Sequence, residues 1–131
     1  MLAVMLPKIV KKTHIMKEEI KEAILDLLKK NDDYSFSELI FELKKLIIDV
    51  DGDRDIFYKE NLLLWHNVSP ELTKAINELI TENKIAVKVL KGNEALLIYS
   101  YAGIIPDLPI AEDYKRAYKK LHWLPVIIKK Y

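Results

Sequence analysis

The sequence predicts an α+β fold, mainly α, in which three amphipathic helices precede a β-hairpin. An acidic insertion and a C-terminal helical extension complete it. Three observations carry this reading. Apolar residues recur at helical spacing over 13–30, 36–47 and 69–82. The period then drops to two at Ile85, Val87 and Val89, and compact start signals precede the second and third helices. A chain of 131 residues fits one domain, 1–131, large enough to bury a core without disulfide or metal staples.

Taken in order, the first helix carries the stripe Met16, Ile20, Ile24, Leu27 and Leu28. Thr13 can cap its start, and Lys29-Lys30 closes it where the helix dipole favours cations. Residues 1–12 precede it as an N-terminal arm. Asn31-Asp32-Asp33 stops the helix, and Ser35-Phe36-Ser37-Glu38 reads as a capping box for the next one, which buries Leu39, Ile40, Leu43, Leu46 and Ile47. The run from Asp49 to Asp55 predicts a solvated acidic loop, and Asn61–Trp65 one or two helical turns, so that 49–66 forms an insertion. Ser69-Pro70-Glu71 starts the third helix, with Ser at the cap, Pro at the first helical position and the stripe Leu72, Ala75, Ile76, Leu79 and Ile80. Ile85–Val89 and Ala95–Tyr101 are the two expected strands, joined at Lys91-Gly92-Asn93. Residues 103–131 form the extension, with a helix at Ala111–Leu121 and an extended end at Trp123–Ile128.

Composition excludes several classes. The chain has no cysteine, hence no disulfide framework, thiolate metal site or thiol nucleophile. No apolar run approaches the ~18 residues of a membrane span, and Met1–Leu6 is too short for a signal-peptide core, which predicts a cytoplasmic protein with no membrane partner. Missing glutamine beside abundant Lys, Glu and Ile leans toward a thermophilic source. His14, His66 and His122 lack a second ligand at metal spacing, and there is no glycine-rich phosphate loop or nucleophile elbow. No enzyme and no cofactor are expected. The net charge of +1 conceals an asymmetry: residues 1–31 hold seven Lys/Arg against four Asp/Glu, 112–131 hold six against two, and 32–71 hold four against ten.

The order of helix, helix, helix and hairpin, with Val68–Ile85 and Tyr99, resembles the winged helix-turn-helix of archaeal and bacterial regulators over residues 13–101. The likeness implies a three-helix core plus a β-hairpin wing, a transcriptional regulator binding duplex DNA through helix 69–82 and wing 85–101, and a homodimer. It counts Ser69, at the helix start, among the DNA-binding residues, and sets the face of Lys74, Asn77 and Thr81 against bases with Thr73 at its edge, and Lys88 and Lys91 in or near the wing tip for phosphates. Glu71, Glu78 and Glu82 share this helix and must be angled away or paired with an amine. Those carboxylates and the near-neutral charge leave a second reading open, a protein-interaction module without nucleic-acid binding.

A third reading rests on 49–60, which resembles the calcium loop of EF-hands. Asp49, Asp51, Asp53, Asp55 and Glu60 stand at ligand positions and Ile56 at the apolar one. Arg54 departs from the pattern, because the EF-hand requires glycine there.

Overall fold

The computed structural model describes residues 2–46, 48–99 and 105–131, with 2–15 described as backbone. Ten elements follow in order: α1 (Leu2–Lys30), β1 (Asp33–Ser35), α2 (Phe36–Lys45), β2 (Asp51–Lys59), β3 (Leu62–Val68), α3 (Pro70–Thr81), β4 (Ile85–Val89), α4 (Gly92–Tyr99), β5 (His122–Trp123) and β6 (Val126–Lys130). They form an α+β fold with two three-stranded sheets, one ordered β1-β6-β4 and the other β2-β3-β5. A three-helix core carrying a β-hairpin wing is not what this chain builds.

Local signals fix two helices. At α2 the Ser35 hydroxyl accepts from the Glu38 amide while the Glu38 carboxylate accepts from the Ser35 amide. At α3 the buried Ser69 hydroxyl accepts from the Leu72 amide at 3.1 Å, with Pro70 opening the first turn. The end of α3 is a Schellman turn made without glycine. Asn83 adopts φ 58°, its amide donates to the Ile80 carbonyl and the Lys84 amide to the Leu79 carbonyl.

The wing fails at its second strand. Ile85–Val89 is extended as expected, but residues 92–99 coil into α4, which buries Ala95 and Tyr99. The spacing of Ala95, Leu97 and Tyr99 satisfies a period of two, yet Ala95 and Tyr99 are also four apart. Glu94, Ala95, Leu96 and Leu97 are strong helix formers, and the helical solution wins. Lys91 therefore opens a helix, its carbonyl accepting from the Ala95 amide at 2.9 Å, and is no wing-tip residue. Ser100 and Tyr101, the expected end of that strand, lie outside the described residues.

The expected insertion is a β-hairpin. Asn61, at φ 61°, turns the chain between β2 and β3, and the two strands pair antiparallel with several register shifts. Leu62, Leu63, Leu64 and Trp65 are all buried, so β3 is covered on both faces. An apolar run without alternation is how such a strand reads. Gly52 lies where β2 presses on the junction of β3 and α3. A Cβ added there would stand 2.5 Å from the Val68 carbonyl oxygen and 2.8 Å from the Ser69 Cα. Because both are backbone atoms, Gly52→Ala is expected to cost about 1–3 kcal/mol. The check is a lower urea midpoint with unchanged slope.

The C-terminal residues complete the fold. β6 is the central strand of its sheet, antiparallel to β1 on one side and β4 on the other, with Ile128 opposite both Tyr34 and Val87. β5 lies parallel to β3, and the Trp123 amide donates to the Pro109 carbonyl. The expected helix at 111–121 is replaced by turns around Asp113, whose carboxylate accepts from the Lys115 amide. The core is centred on a cluster of rings: Trp65 packs on Phe36, Tyr99 and Trp123, and Tyr99 meets Trp123 edge-on at 5.1 Å. The expected arm at 1–12 is helical backbone from Leu2 onward, continuous with α1; the side chains of Lys8, Lys11 and Lys12 lie outside the description. Among the described residues no helix is long and apolar enough to cross a membrane.

Candidate nucleic-acid interface

Helix α3 is held from two sides. It buries Leu72, Ala75, Ile76 and Leu79, packs along α1 on one flank and meets β2 on the other. At 100° per residue this leaves Lys74, Asn77 and Thr81 together on the outer face, where all three are exposed. Ser69 and Thr73 have structural work instead. Ser69 caps the helix from a buried position, and the Thr73 hydroxyl donates to the Ser69 carbonyl at 3.1 Å. Thr81 donates its hydroxyl hydrogen to the Asn77 carbonyl at 2.9 Å, which leaves its lone pairs facing outward.

The carboxylates of α3 are drawn toward α1. Lys17 Nζ lies 2.7 Å from Glu78 Oε2, and Lys21 Nζ reaches Glu78 at 3.0 Å and Glu82 at 3.1 Å. Hydrogen bonds from Lys17 and Lys21 hold the Glu78 carboxyl below its usual range. The bond to Glu78, working against the cost of desolvation, keeps Lys21 above the ordinary lysine value. These partners are 57 and 61 residues apart in the chain, so their pairing was invisible to a local reading. Two of the three glutamates that count against phosphate binding thus have amine partners, while Lys74 is exposed and has no ion pair among the described residues.

The other side of the Asn77–Thr81 face was missed in the sequence. A groove of about 270 Å³ is lined by Asn77, Ile80 and Thr81 of α3, by Phe57, Tyr58 and Leu64 of the hairpin, and by Val87 of β4. Phe57 is 48% exposed and Tyr58 43%, unusual for adjacent aromatics on a strand. Tyr58 meets Tyr114 edge-on at 6.0 Å, and this contact brings the basic 112–121 turn to the groove. In that turn Lys115 Nζ sits 5.8 Å from the Tyr114 ring centre, the Arg116 guanidinium 5.3 Å from that of Tyr118, and Lys119 and Lys120 are exposed. The Asn61 amide donates to the Tyr118 carbonyl at 2.7 Å and pins the turn to the hairpin. The signal was present as Tyr-Lys-Arg-Ala-Tyr-Lys-Lys at 114–120, inside the segment expected to be a helix.

Lys88 does not join this surface. It is next to Val87 on β4 and therefore points to the opposite face of the sheet, opposite Ile127. Lys91 is exposed just before α4 and is not among the described residues that line the groove.

The calcium-loop pattern has no corresponding loop. Asp51, Asp53 and Asp55 lie along strand β2, where backbone extension replaces the tight turn an EF-hand needs. Asp51 pairs with Lys44 at 3.0 Å, Asp49 accepts from the Asp51 amide, and Asp53 lies 3.8 Å from Arg54. Glu60 sits in the hairpin turn. Among the described residues no three His, Asp or Glu side chains converge as a metal site would require.

In comparison with known proteins, the chain matches no family model, no curated protein and no solved structure.

Proposed function

We propose that this protein binds nucleic acid across the face made by α3, the β2–β3 hairpin and the 112–121 turn. The observation that carries the reading is the junction at Tyr58. There the polar face of α3 and the basic, aromatic turn become one surface through the groove and the Tyr58–Tyr114 contact. Lys74, Lys115, Arg116, Lys119 and Lys120 supply cations for phosphates, and Asn77 supplies an amide able to read a base edge. Ion pairing of Glu78 and Glu82 with α1 lowers the repulsion that α3 would otherwise present.

Fluorescence anisotropy of labelled oligonucleotides, repeated across a salt series, tests this. Affinity is expected to fall steeply as salt rises. Lys74→Glu is expected to weaken binding about tenfold and to reduce the salt slope by about 1. Asp53→Asn, on the far part of the acidic strand, is expected to change neither. Absence of binding at about 100 μM protein in low salt would overturn the proposal, because nonspecific affinities fall within that range.

A further inference from the structure

We infer that the nucleic acid is single-stranded, and that the groove between α3 and the hairpin holds an unpaired base. This rests on the proposed function and concerns the same surface. Phosphate contact alone would be served by cations on a polar face, as for most duplex binders. Here the surface between the cations is aromatic: Phe57, Tyr58 and Tyr114 all show more than a third of their area to solvent. In a duplex the faces of the bases are covered by their neighbours, so exposed rings find nothing to stack on. An unpaired base offers both faces, and stacking is tolerant of sequence.

The groove has the matching chemistry. Its walls are Phe57, Tyr58, Leu64, Ile80 and Val87, with polar groups confined to the α3 edge at Asn77 and Thr81. A base inserted ring-first would meet apolar walls on its faces and polar groups on its edge. The Asn77 amide both donates and accepts, while the Thr81 hydroxyl, its hydrogen committed to the Asn77 carbonyl, accepts from an N–H on the base edge, such as the N3–H of thymine or uracil. The recess also obstructs a duplex. The face of α3 that would have to enter the major groove is walled on one side by the hairpin aromatics, whereas a flexible single strand can follow the line from the groove across Tyr58 and Tyr114 to Lys115 and Arg116. The ring and cation pairs of that turn are suited to a stacked base with its phosphate alongside.

The test compares the full chain on labelled oligothymidylate, oligouridylate and a mixed-sequence duplex, each of about 12 nucleotides, at one salt concentration. Either single strand is expected to bind at least about tenfold more tightly than the duplex. The stronger of the two arms identifies DNA or RNA as the source of the strand. Tyr58→Ala and Phe57→Ala, both at half-exposed positions, are each expected to weaken single-strand binding about tenfold and duplex binding by less, so that the preference for single strands shrinks. The double change Lys119→Ala with Lys120→Ala is expected to weaken both alike. Equal or tighter binding of the duplex would overturn this inference and leave nucleic-acid binding standing. Unchanged single-strand affinity in both aromatic variants would overturn the base-stacking role. Binding to none of the three probes would overturn the proposed function itself.

Discussion

A chain ended at Leu121 is expected to lose cooperative folding altogether. The ten residues removed include β6, the strand whose backbone joins β1 to β4, so without it neither neighbour has a partner in that sheet. They also include Trp123, Leu124, Val126, Ile127 and Ile128, every one of them buried. Burial of an aliphatic or aromatic side chain of this size contributes about 1.5–3 kcal/mol. Five such losses approach or exceed the whole net stability of a typical domain, about 5–15 kcal/mol. Far-UV circular dichroism with a thermal scan, together with the spread of amide proton shifts, measures the outcome. A sharp transition and dispersed amide shifts in the truncated chain would mean that the first 121 residues fold alone and that β6 is an appendage.

That prediction marks where the sequence was readable and where it was not. The starts of α2 and α3 were legible because a cap is written within four residues: Ser35 with Glu38, and Ser69 with Pro70. The stripes of α1 and α3 were legible for a similar reason, since a helix repeats its burial every three or four positions. The resemblance to a winged helix was built from these local signals plus a two-strand hairpin, of which only Ile85–Val89 is a strand, and a fold is more than its local elements. The pairing of β6 with β1 joins Ile128 to Tyr34 across most of the chain, and nothing near either residue announces it. The end of the chain therefore looked like an extension when it is the middle of a sheet.

Two errors had a different origin, ambiguous periodicity. Leu62–Trp65 has no alternation because β3 is buried on both faces, and four apolar residues in a row fit a helical turn equally well. Ala95 and Tyr99 fit either period, and only the helix-forming residues between them decide. The candidate site shows both kinds of difficulty at once. The outward face of Lys74, Asn77 and Thr81 follows from one helix and was found. Its continuation through Phe57, Tyr58 and Tyr114 needs the hairpin and the turn at 112–121, neither of which had been assigned, so the aromatic half was missed.

Replacing Tyr99 with Phe isolates one atom that ties the helical and sheet parts together. The Tyr99 hydroxyl accepts from the Phe36 amide at 3.0 Å and donates to the Val126 carbonyl at 2.8 Å. It thereby joins the end of α4 to the start of α2 and to the first residue of β6. Burial pushes this hydroxyl's pKa upward, so it remains a protonated donor throughout the physiological range. The ring of Phe would keep the packing against Trp65 and Trp123 but leave a buried amide and a buried carbonyl without their partner. Each such orphan costs about 1–3 kcal/mol, so Tyr99→Phe is expected to remove about 2–6 kcal/mol in total. The half-exposed Tyr58, changed to Phe in the same way, is expected to move stability by less than about 0.5 kcal/mol. Urea unfolding of both variants gives the comparison, and equal midpoints would show that the Tyr99 hydroxyl contributes nothing beyond its ring. A large loss at Tyr99 alone would establish that the aromatic core is oriented by hydrogen bonds as well as filled by rings. The hydroxyl would then be what sets α2 and α4 against the central strand.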